Sequence, residues 1–343
     1  MKNVVEKILR KVKASHKIKN KNPNPIRWGI MGTGYMAETF CSTIDGNANG
    51  IVYAVASRSK ERASSFAKKH SKCIAYGSYQ ELVSDNSIDI IYIATPTICH
   101  YENIKLCLKS RKNVLCEKPI TTCLSELIEL KTLAKENNCF LMEGMWMKCL
   151  PTYLKAIEWI KMGRIGEVEL IKADFYKREK IRPDVAIFNA EMGGGVLKDY
   201  GVYAVSFPLG FMDTICEVEG KSRDSKFGID TDWQIYLSDG LRKAFINISS
   251  NFSSQSKAAV VGKNGTIEWE SQFNRTNIIT LYDEKGNKID SQKWNYVHEG
   301  FEYELDEIQS SLKKGLKESS VVTLQSSMKT LEIIDSLIKG KMK

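Results

Sequence analysis

Three features that many proteins carry are missing from this chain of 343 residues. No apolar run approaches the roughly 20 residues that a membrane-spanning helix needs, and the first residues lack the apolar core and cleavage site of a signal peptide. The nine cysteines are an odd-numbered set without a C-x-x-C pair, which is not the pattern of a disulfide framework or a zinc site. We therefore expect a protein of a reducing compartment, the cytoplasm, with no membrane span and no metal.

Positive charge is concentrated at the start of the chain. Residues 1–22 hold eight Lys and Arg side chains against one Glu, so they carry most of the formal net charge of +9. Apolar residues from Val4 to Val12 recur at helical spacing, which predicts an amphipathic basic helix. Such a helix could be a solvated extension, dock on its own protein or a partner subunit, or contact a membrane surface or a polyanion. The rest of the chain is nearly neutral, so we expect no nucleic-acid partner.

Short apolar strands alternate with helical patterns in the first half of the body. Asn22-Pro23-Asn24-Pro25 separates this half from the basic segment, because prolines resist both helix and central strand. Strands that alternate with helices of about 10–15 residues are typical of a parallel, doubly wound sheet. The predicted strands are Ile26–Met31, Ile51–Ala56, Cys73–Ala75, Asp89–Ala94, Asn113–Cys116 and Cys139–Met142.

A glycine-rich turn follows the first predicted strand. Gly32-Thr33-Gly34-Tyr35-Met36-Ala37 fits the G-x-G-x-x-G/A fingerprint and leads into a helical pattern that runs to Ile44. Glycines in such a turn permit close approach of a pyrophosphate, which the N-terminus of the helix attracts. This part of the sequence predicts a dinucleotide site built from Gly32, Thr33, Gly34, Tyr35 and Met36.

The end of the second predicted strand distinguishes between the two nicotinamide cofactors. NAD-preferring sites usually place an acidic residue there for the ribose 2′-hydroxyl, whereas this chain has Ser57 and Arg58. A small hydroxyl residue followed by arginine suits a 2′-phosphate. The sequence therefore predicts NADP rather than NAD, although Arg58 could also be only the exposed start of the next helix.

Two further strand ends carry polar residues. Asp89–Ala94 exits into Thr95-Pro96-Thr97, with His100 at the start of the following helix, and Asn113–Cys116 exits into Glu117-Lys118-Pro119. Open α/β sheets bind ligands at the carboxyl edge of their strands. A lysine delivered there can position a substrate hydroxyl or tune an acid–base partner, but the same residues also fit a solvated charge pair at a loop. His100 fits either a helix cap or a residue of the crevice.

Beyond Pro151 the pattern changes to longer, alternating strand-like runs. Ser238-Asp239-Gly240 and Lys285-Gly286-Asn287 have the composition of hairpin turns. We expect an α+β domain with a large, mostly antiparallel sheet that carries the substrate side and the subunit contacts. The predicted boundaries are 1–24 for the basic extension, 25–148 for the nucleotide-binding domain and 149–343 for the second domain.

Three consecutive glycines, Gly193–Gly195, precede a segment that contains Asp199 and Tyr203. The glycines allow close backbone approach, and the two polar residues share a face if the segment is helical, because they are four apart. One interpretation is therefore a functional site that contains Asp199 and Tyr203. The alternative is a packed helix with Tyr203 in the core, and the residues alone support the two interpretations equally.

Together these motifs resemble the Gfo/Idh/MocA oxidoreductases, from Ile26 to about Ile338. The resemblance rests on Gly32–Ala37, on Glu117-Lys118-Pro119 and on the pair Asp199 and Tyr203. Tyrosine at 203, where many members carry histidine, is similar to the dihydrodiol dehydrogenase and NADP-dependent D-xylose 1-dehydrogenase branch. The segment Met142–Lys148 is also similar to that branch. The branch usually has arginine at the position of Lys148, and lysine lacks the planar fork of hydrogen-bond donors that arginine has.

The resemblance implies a reversible hydride transfer between nicotinamide C4 and a hydroxyl-bearing carbon of a sugar or cyclic diol. It implies Tyr203 as the base, Lys118 beside it and Asp199 as an orienting group, in a homodimer or tetramer joined through the C-terminal sheet. It also implies that the cofactor site includes Thr95, Pro96, His100, Glu117, Lys118, Trp146 and Lys148.

Two alternatives remain open at this point. A nucleotide-sugar dehydrogenase of surface-polysaccharide synthesis would need extra basic contacts, for which Lys177, Arg178 and Arg182 are candidates. A regulator of the same fold that senses NADP without turnover would not need a catalytic set, so the presence of Lys118, Asp199 and Tyr203 favours an enzyme.

Overall fold

A computed structural model of the chain describes residues 22–182 and 184–341. The predicted basic helix of the first 21 residues lies outside this part of the chain. The α-helices are α1 (Tyr35–Asp45), α2 (Lys60–Ala67), α3 (Tyr79–Ser84), α4 (His100–Lys109), α5 (Leu124–Glu136), α6 (Pro151–Lys161), α7 (Val196–Asp199), α8 (Gly201–Ser206), α9 (Phe301–Lys313) and α10 (Leu324–Lys341). Within the described ranges, no helix is both long and apolar enough to cross a membrane.

The described residues divide into two compact units. The first comprises 22–146 and 297–325, and the second comprises the described residues of 147–296 together with 326–341. The segment that contains α9 therefore belongs with the first half of the chain. The boundaries 25–148 and 149–343 drawn from the sequence remain a prediction about domains.

A six-stranded parallel sheet forms the centre of the first unit. Its order is β3-β2-β1-β4-β5-β6. Every residue of its inner strand β4 is buried, as expected when helices cover both faces of a parallel sheet. The strands are β1 (Ile26–Met31), β2 (Gly50–Ala56), β3 (Ile74–Tyr76), β4 (Ile90–Ile93), β5 (Asn113–Glu117) and β6 (Leu141–Gly144).

Local sequence signals fix several of these elements. Ser59 and Ser78 cap α2 and α3, because their hydroxyls accept the N–H groups of Arg62 and Glu81 at 3.2 Å each. Phe40 of α1 packs on Tyr92 of β4, with ring centroids 4.3 Å apart. The predicted site residues follow β1, β2, β4 and β5 at the carboxyl edge of this parallel sheet.

An eight-stranded sheet forms the second unit, in the order β14-β13-β12-β11-β7-β10-β9-β8. Its described neighbours are antiparallel apart from β7 and β10, which run parallel. The predicted fold class, a Rossmann-type parallel sheet with a second, mostly antiparallel one, is confirmed. The strands are β7 (Val168–Tyr176), β8 (Glu217–Asp224), β9 (Asp230–Ser238), β10 (Lys243–Ser249), β11 (Ala258–Gly262), β12 (Gly265–Trp269), β13 (Ile278–Asp283) and β14 (Lys288–Lys293).

Candidate active site

The two glycines of the turn between β1 and α1 differ in the space that a side chain would have. Gly32 has φ +110°, and a Cβ atom there would lie 2.6 Å from the carbonyl oxygen of Ala94. Gly34 has φ −85°, and no described atom lies within 4 Å of the position of its Cβ. The next residue, Tyr35, is 80% exposed. The open side at the start of α1 fits the pyrophosphate of a dinucleotide, which helix N-termini attract.

Ser57 and Arg58 follow β2 with different environments. Ser57 is buried, and its hydroxyl accepts the N–H of Ser59 at 3.4 Å. Arg58 is exposed and lies close enough to Tyr79 to act on its phenol electrostatically. A buried hydroxyl beside an exposed guanidinium fits the donor set that a 2′-phosphate requires.

His100 links the loops that follow β4 and β5. Its ring is 1% exposed, with Nδ1 2.8 Å from the carbonyl oxygen of Pro119 and Nε2 2.9 Å from that of Thr95. Thr95 also accepts a hydrogen bond from the Asn103 amide at 2.9 Å, and Pro96 is exposed. His100 therefore connects the two loops through hydrogen bonds of its two ring nitrogens. Its contact with a cofactor remains a prediction.

Two buried carboxylates hold the backbone of the Glu117-Lys118-Pro119 turn, whose Lys118-Pro119 peptide bond is cis. Glu117 accepts the hydroxyl of Tyr92 at 2.5 Å and the N–H of Lys118 at 3.3 Å. Glu143 of β6 accepts the N–H of Ile120 at 3.0 Å. Burial, together with the nearby charge of Glu117, raises the pKa of Tyr92 well above its ordinary value, so this phenol remains a donor. The turn is thus fixed at both ends around the partly exposed Lys118.

Trp146 lies at the end of the first unit with its ring fixed by an aromatic partner. It is 6% exposed and stacks on Phe301 of α9, with centroids 4.2 Å apart and an interplanar angle of 8°. Phe301 also meets Phe40 edge-on at 6.5 Å. The sequence analysis identified Trp146 but missed Phe301, since nothing local connects positions 155 residues apart.

Asp199 and Tyr203 lie in the second unit, on two short helices with a break between them. Asp199 ends α7, Tyr203 lies within α8, and Tyr200 between them belongs to neither. The third glycine begins α7: Gly195 has φ +124°, and a side chain there would collide with Asp230. The Asp230 carboxylate in turn accepts the N–H of Leu197 at 2.8 Å. The predicted helical segment is therefore present, interrupted at Tyr200.

An aromatic stack surrounds Tyr203. Its ring lies nearly parallel to Phe175 of β7, at 6.3 Å and 10°, and Phe175 also stacks on Tyr200, at 5.0 Å and 14°. The hydroxyl of Tyr200 donates to Glu179 at 3.0 Å. Tyr203 is 9% exposed, Lys148 is 4% exposed, and Asp199 is half-buried. The sequence analysis missed Phe175 and Glu179.

The structure brings the predicted residues together in two groups. The loops after β1, β2, β4 and β5 gather most of the predicted cofactor residues and Lys118 in the first unit, whereas Lys148, Asp199 and Tyr203 belong to the second. No group of three His, Cys, Asp or Glu side chains that could hold a metal occurs in the described ranges.

Comparison with known proteins assigns both units to the same protein family. The family model for the oxidoreductase family with an NAD-binding Rossmann fold (Gfo/Idh/MocA) matches residues 26–145, and that for the Gfo/Idh/MocA C-terminal domain matches residues 153–268. A trans-1,2-dihydrobenzene-1,2-diol dehydrogenase from Xenopus tropicalis is 32% identical, covering 91% of this chain and 97% of that protein. A D-xylose 1-dehydrogenase (NADP(+)) from Hypocrea jecorina is 35% identical over 206 residues, which cover 54% of this chain and 53% of that protein.

Solved structures show the same fold. A 3-ketoreductase from Actinomadura kijaniata, in complex with NADP and TDP-benzene, superposes with a TM-score of 0.82 at 21% identity, covering 92% of this chain and 98% of that one. Because a relative of more than 30% identity spans nine-tenths of the sequence and family models match both halves, this chain belongs to the Gfo/Idh/MocA family of NAD(P)-dependent oxidoreductases.

Proposed function

We propose that this oxidoreductase transfers a hydride between NADP and a hydroxyl-bearing carbon of a sugar or cyclic diol. The observation that carries the proposal is the full-length similarity to proteins named as dehydrogenases of a diol, joined by the shorter similarity to one that acts on D-xylose. The cofactor accepts or supplies the hydride at C4 of its nicotinamide. The substrate class is taken from these relatives, because loop shape rather than fold sets specificity.

The residues that would hold NADP follow the strand ends of the first unit. Gly34 leaves room for a pyrophosphate at the start of α1, and Arg58 is exposed to receive a 2′-phosphate. We assign the remaining contacts to Thr33, Tyr35, Met36, Ser57, Thr95, Pro96, His100, Glu117, Lys118, Trp146 and Lys148, with Gly32 closing the turn.

Proton transfer would fall to Tyr203 and Lys118. Oxidation of an alcohol requires removal of its proton as the hydride leaves. A free phenol has a pKa of about 10, and a cationic lysine within about 4–6 Å lowers such a value by about 1–3 units. Tyr203 would therefore accept the proton with Lys118 beside it, while Asp199 orients the substrate or Lys118. Tyr200 is a poor candidate for the base, because burial, with the charges of Asp199 and Glu179, raises the pKa of its phenol well above the ordinary value.

The alternatives have weaker support. Lys177 and Arg182, which a nucleotide-sugar substrate would recruit, pair with Glu179 at 2.5 Å and with Asp184 at 3.5 Å. A regulator that only senses NADP would have no use for the set of Lys118, Asp199 and Tyr203. We therefore retain the sugar or diol dehydrogenase.

We also propose self-association through the second sheet and a cytoplasmic location. Phe245 of β10 is 47% exposed, packs on Tyr236 of β9 at 5.4 Å and pairs with Lys172 of β7, on the side opposite the buried Ala244 and Ile246. A second copy of the chain would cover this face as a homodimer or tetramer. All nine cysteines are unpaired with one another, which is typical of a reducing compartment.

The experiment is single-turnover reduction of NADP⁺ with a panel of sugars and trans-dihydrodiols. We expect Tyr203→Phe and Lys118→Met each to lower the rate by about 10²–10⁴. The double variant should cost little more than either single one, because residues that act as a unit are not additive. Tyr200→Phe is the matched control and should stay within a few fold of the parent.

Two outcomes would contradict the proposal. Wild-type rates for Tyr203→Phe across pH 6–10 would remove the phenol as the base and leave Lys118, or a water held by Asp199, in that role. Absence of NADP⁺ reduction by every sugar and diol in the panel, with cofactor bound, would favour the sensing regulator.

A further inference from the structure

The short helix α7, which ends at Asp199, cannot be held in place by its own hydrogen bonds. It has four residues, Val196–Asp199, and a single helical turn is unstable by itself because fixing its backbone costs more free energy than its few hydrogen bonds contribute. Gly195 stands at its N-cap and has no side chain to accept the N–H groups of the first turn. The position of α7, and with it that of Asp199, must therefore be set by contacts from elsewhere in the second unit.

Asp230, the first residue of β9, supplies an acceptor for the start of α7. One of its carboxylate oxygens, Oδ2, accepts the N–H of Leu197 at 2.8 Å. The two residues are 33 apart in the sequence, so the cap comes from the neighbouring sheet and not from the helix itself. A carboxylate in this place satisfies an N–H group of the first turn and suits the positive end of the peptide dipoles. Asp230 thus connects the start of α7 to the start of β9.

The carboxylate of Asp230 is itself oriented by a fixed donor. The indole Nε1–H of Trp233 donates to the same Oδ2 atom at 2.9 Å. Trp233 is 2% exposed, and its backbone lies between Ile248 of β10 and Ser222 of β8 in the sheet. The other oxygen, Oδ1, faces Gly195, where a Cβ atom would collide with it. These contacts fix the carboxylate where it can cap α7.

The residue of α7 that Asp230 caps, Leu197, also packs against the helix that carries Tyr203. A Cβ atom added to Gly201, the first residue of α8, would lie 3.0 Å from a methyl carbon of Leu197 and 3.0 Å from one of Ile248 in β10. Tyr203 is the third residue of α8. A displacement of Leu197 would therefore move α8 as well as the end of α7.

We propose that Asp230 is a positioning residue: its carboxylate fixes the start of α7 and thereby places Asp199 and Tyr203 for the reaction. Trp233 holds the carboxylate, and the effect reaches the site through Leu197. Asp230 takes no part in the chemistry itself. The role rests on the proposed function, because it affects turnover only if Asp199 and Tyr203 take part in the reaction.

The first test follows the indole N–H of Trp233 by nuclear magnetic resonance in the full-length protein. The chain has six tryptophans, and the variant Trp233→Phe identifies the resonance of this one. Asp230→Ala removes the acceptor, and we expect the resonance to move upfield, because a hydrogen bond deshields its proton. Asp230→Asn keeps an oxygen at the place of Oδ2 and should keep the resonance near its original position. An unchanged resonance in Asp230→Ala would overturn the anchor.

Turnover is the second test, and it separates positioning from a general loss of stability. We expect Asp230→Ala to lower kcat by about 10–100-fold with the active sugar or diol, since a misplacement of about 1 Å has an effect of this size. The affinity for NADP⁺ should stay within a few fold, because most of the predicted cofactor residues lie in the first unit. Asp230→Asn, which keeps the acceptor, should recover most of the lost kcat.

The matched control is Asp239→Ala. Asp239 directly follows β9, and its carboxylate accepts the N–H groups of Asp213 at 2.9 Å and of Arg242 at 2.7 Å, but none from α7. Its removal should lower the melting temperature, as Asp230→Ala does, and leave the kcat of the folded enzyme unchanged. Equal losses of kcat in the two alanine variants would overturn the positioning role, because the loss would then follow stability alone.

Tyr203→Phe and Asp199→Ala distinguish failure of this role from failure of the proposed function. If both variants are impaired while Asp230→Ala keeps the kcat of the parent, the positioning role is wrong and the proposed function stands. Full activity in both would overturn the proposed function and the positioning role with it. The resonance of Trp233 would in that case still show whether Asp230 anchors α7.

Discussion

Gly32 and Gly34 occupy the same turn, and the structure predicts opposite consequences for replacing each by alanine. At Gly32 a side chain meets two penalties. The left-handed backbone costs about 1–2 kcal/mol for a residue with a Cβ atom, and φ there is +110°. The Cβ would also lie 2.6 Å from a backbone oxygen, and overpacking of this kind costs about 1–3 kcal/mol. Gly32→Ala should therefore destabilise the protein by about 2–5 kcal/mol.

At Gly34 neither penalty applies. The backbone conformation, φ −85° and ψ −175°, suits any residue, and a methyl group would enter open space. Gly34→Ala should gain about 0.4–1 kcal/mol of stability from the reduced freedom of the unfolded chain. The same methyl group would occupy the approach of the pyrophosphate, so we expect NADP⁺ affinity to fall at least tenfold, about 1.4 kcal/mol.

Thermal unfolding without cofactor and calorimetric titration with NADP⁺ separate the two effects. Gly32→Ala should lower the melting temperature by on the order of 10 °C, and Gly34→Ala should leave it at or slightly above that of the parent. Wild-type NADP⁺ affinity in Gly34→Ala would show that the phosphates do not approach this position. Equal melting temperatures for both variants would refute the steric reasoning at Gly32.

Two further predictions concern the cofactor's phosphate and the second sheet. Arg58→Ala should weaken NADP⁺ binding by about 1–3 kcal/mol and leave NAD⁺ binding unchanged; calorimetry with both cofactors measures this, and an equal loss for both would contradict the 2′-phosphate contact. Phe245→Glu should shift the sedimentation coefficient from that of an oligomer to that of a monomer, because a charge would be buried against a second copy; an unchanged coefficient in the folded variant would place the interface elsewhere.

The parallel sheet could be predicted from sequence because its strands are self-contained signals. Each inner strand is a short apolar run, such as Ile90–Ile93, and is followed by a turn or a helix cap. Ser59 and Ser78 give the helix starts directly. The sequence analysis could therefore place the residues that follow β1, β2, β4 and β5 at the edge of the sheet, because the signals that define these strands are local in the sequence.

Two of the eight strands of the second sheet could not be found this way. β8 (Glu217–Asp224) is polar along most of its length and largely exposed, and β14 (Lys288–Lys293) is similar, so neither shows the alternation of a half-buried strand. Their partners β9 and β13 supply the apolar side chains and the register. An edge strand of this kind forms because it pairs with its neighbour, and its own sequence contains little of the pattern that predicts a strand.

The burial of Glu304 in α9 was missed for a different reason, and the pattern of the helix shows how it could have been found. Phe301, Leu305 and Ile308 are buried and recur at the spacing of one helical face, so the sequence pattern indicates a helix here. Glu304 occupies a position of that same face which the pattern reserves for an apolar side chain. Burying a charge there without compensation would cost more than the face gains, so such a residue must either keep its proton or meet a partner. A carboxyl group inside an apolar stripe is therefore itself a signal, and its buried position depends on a fold that returns this helix to the first unit from the far end of the sequence.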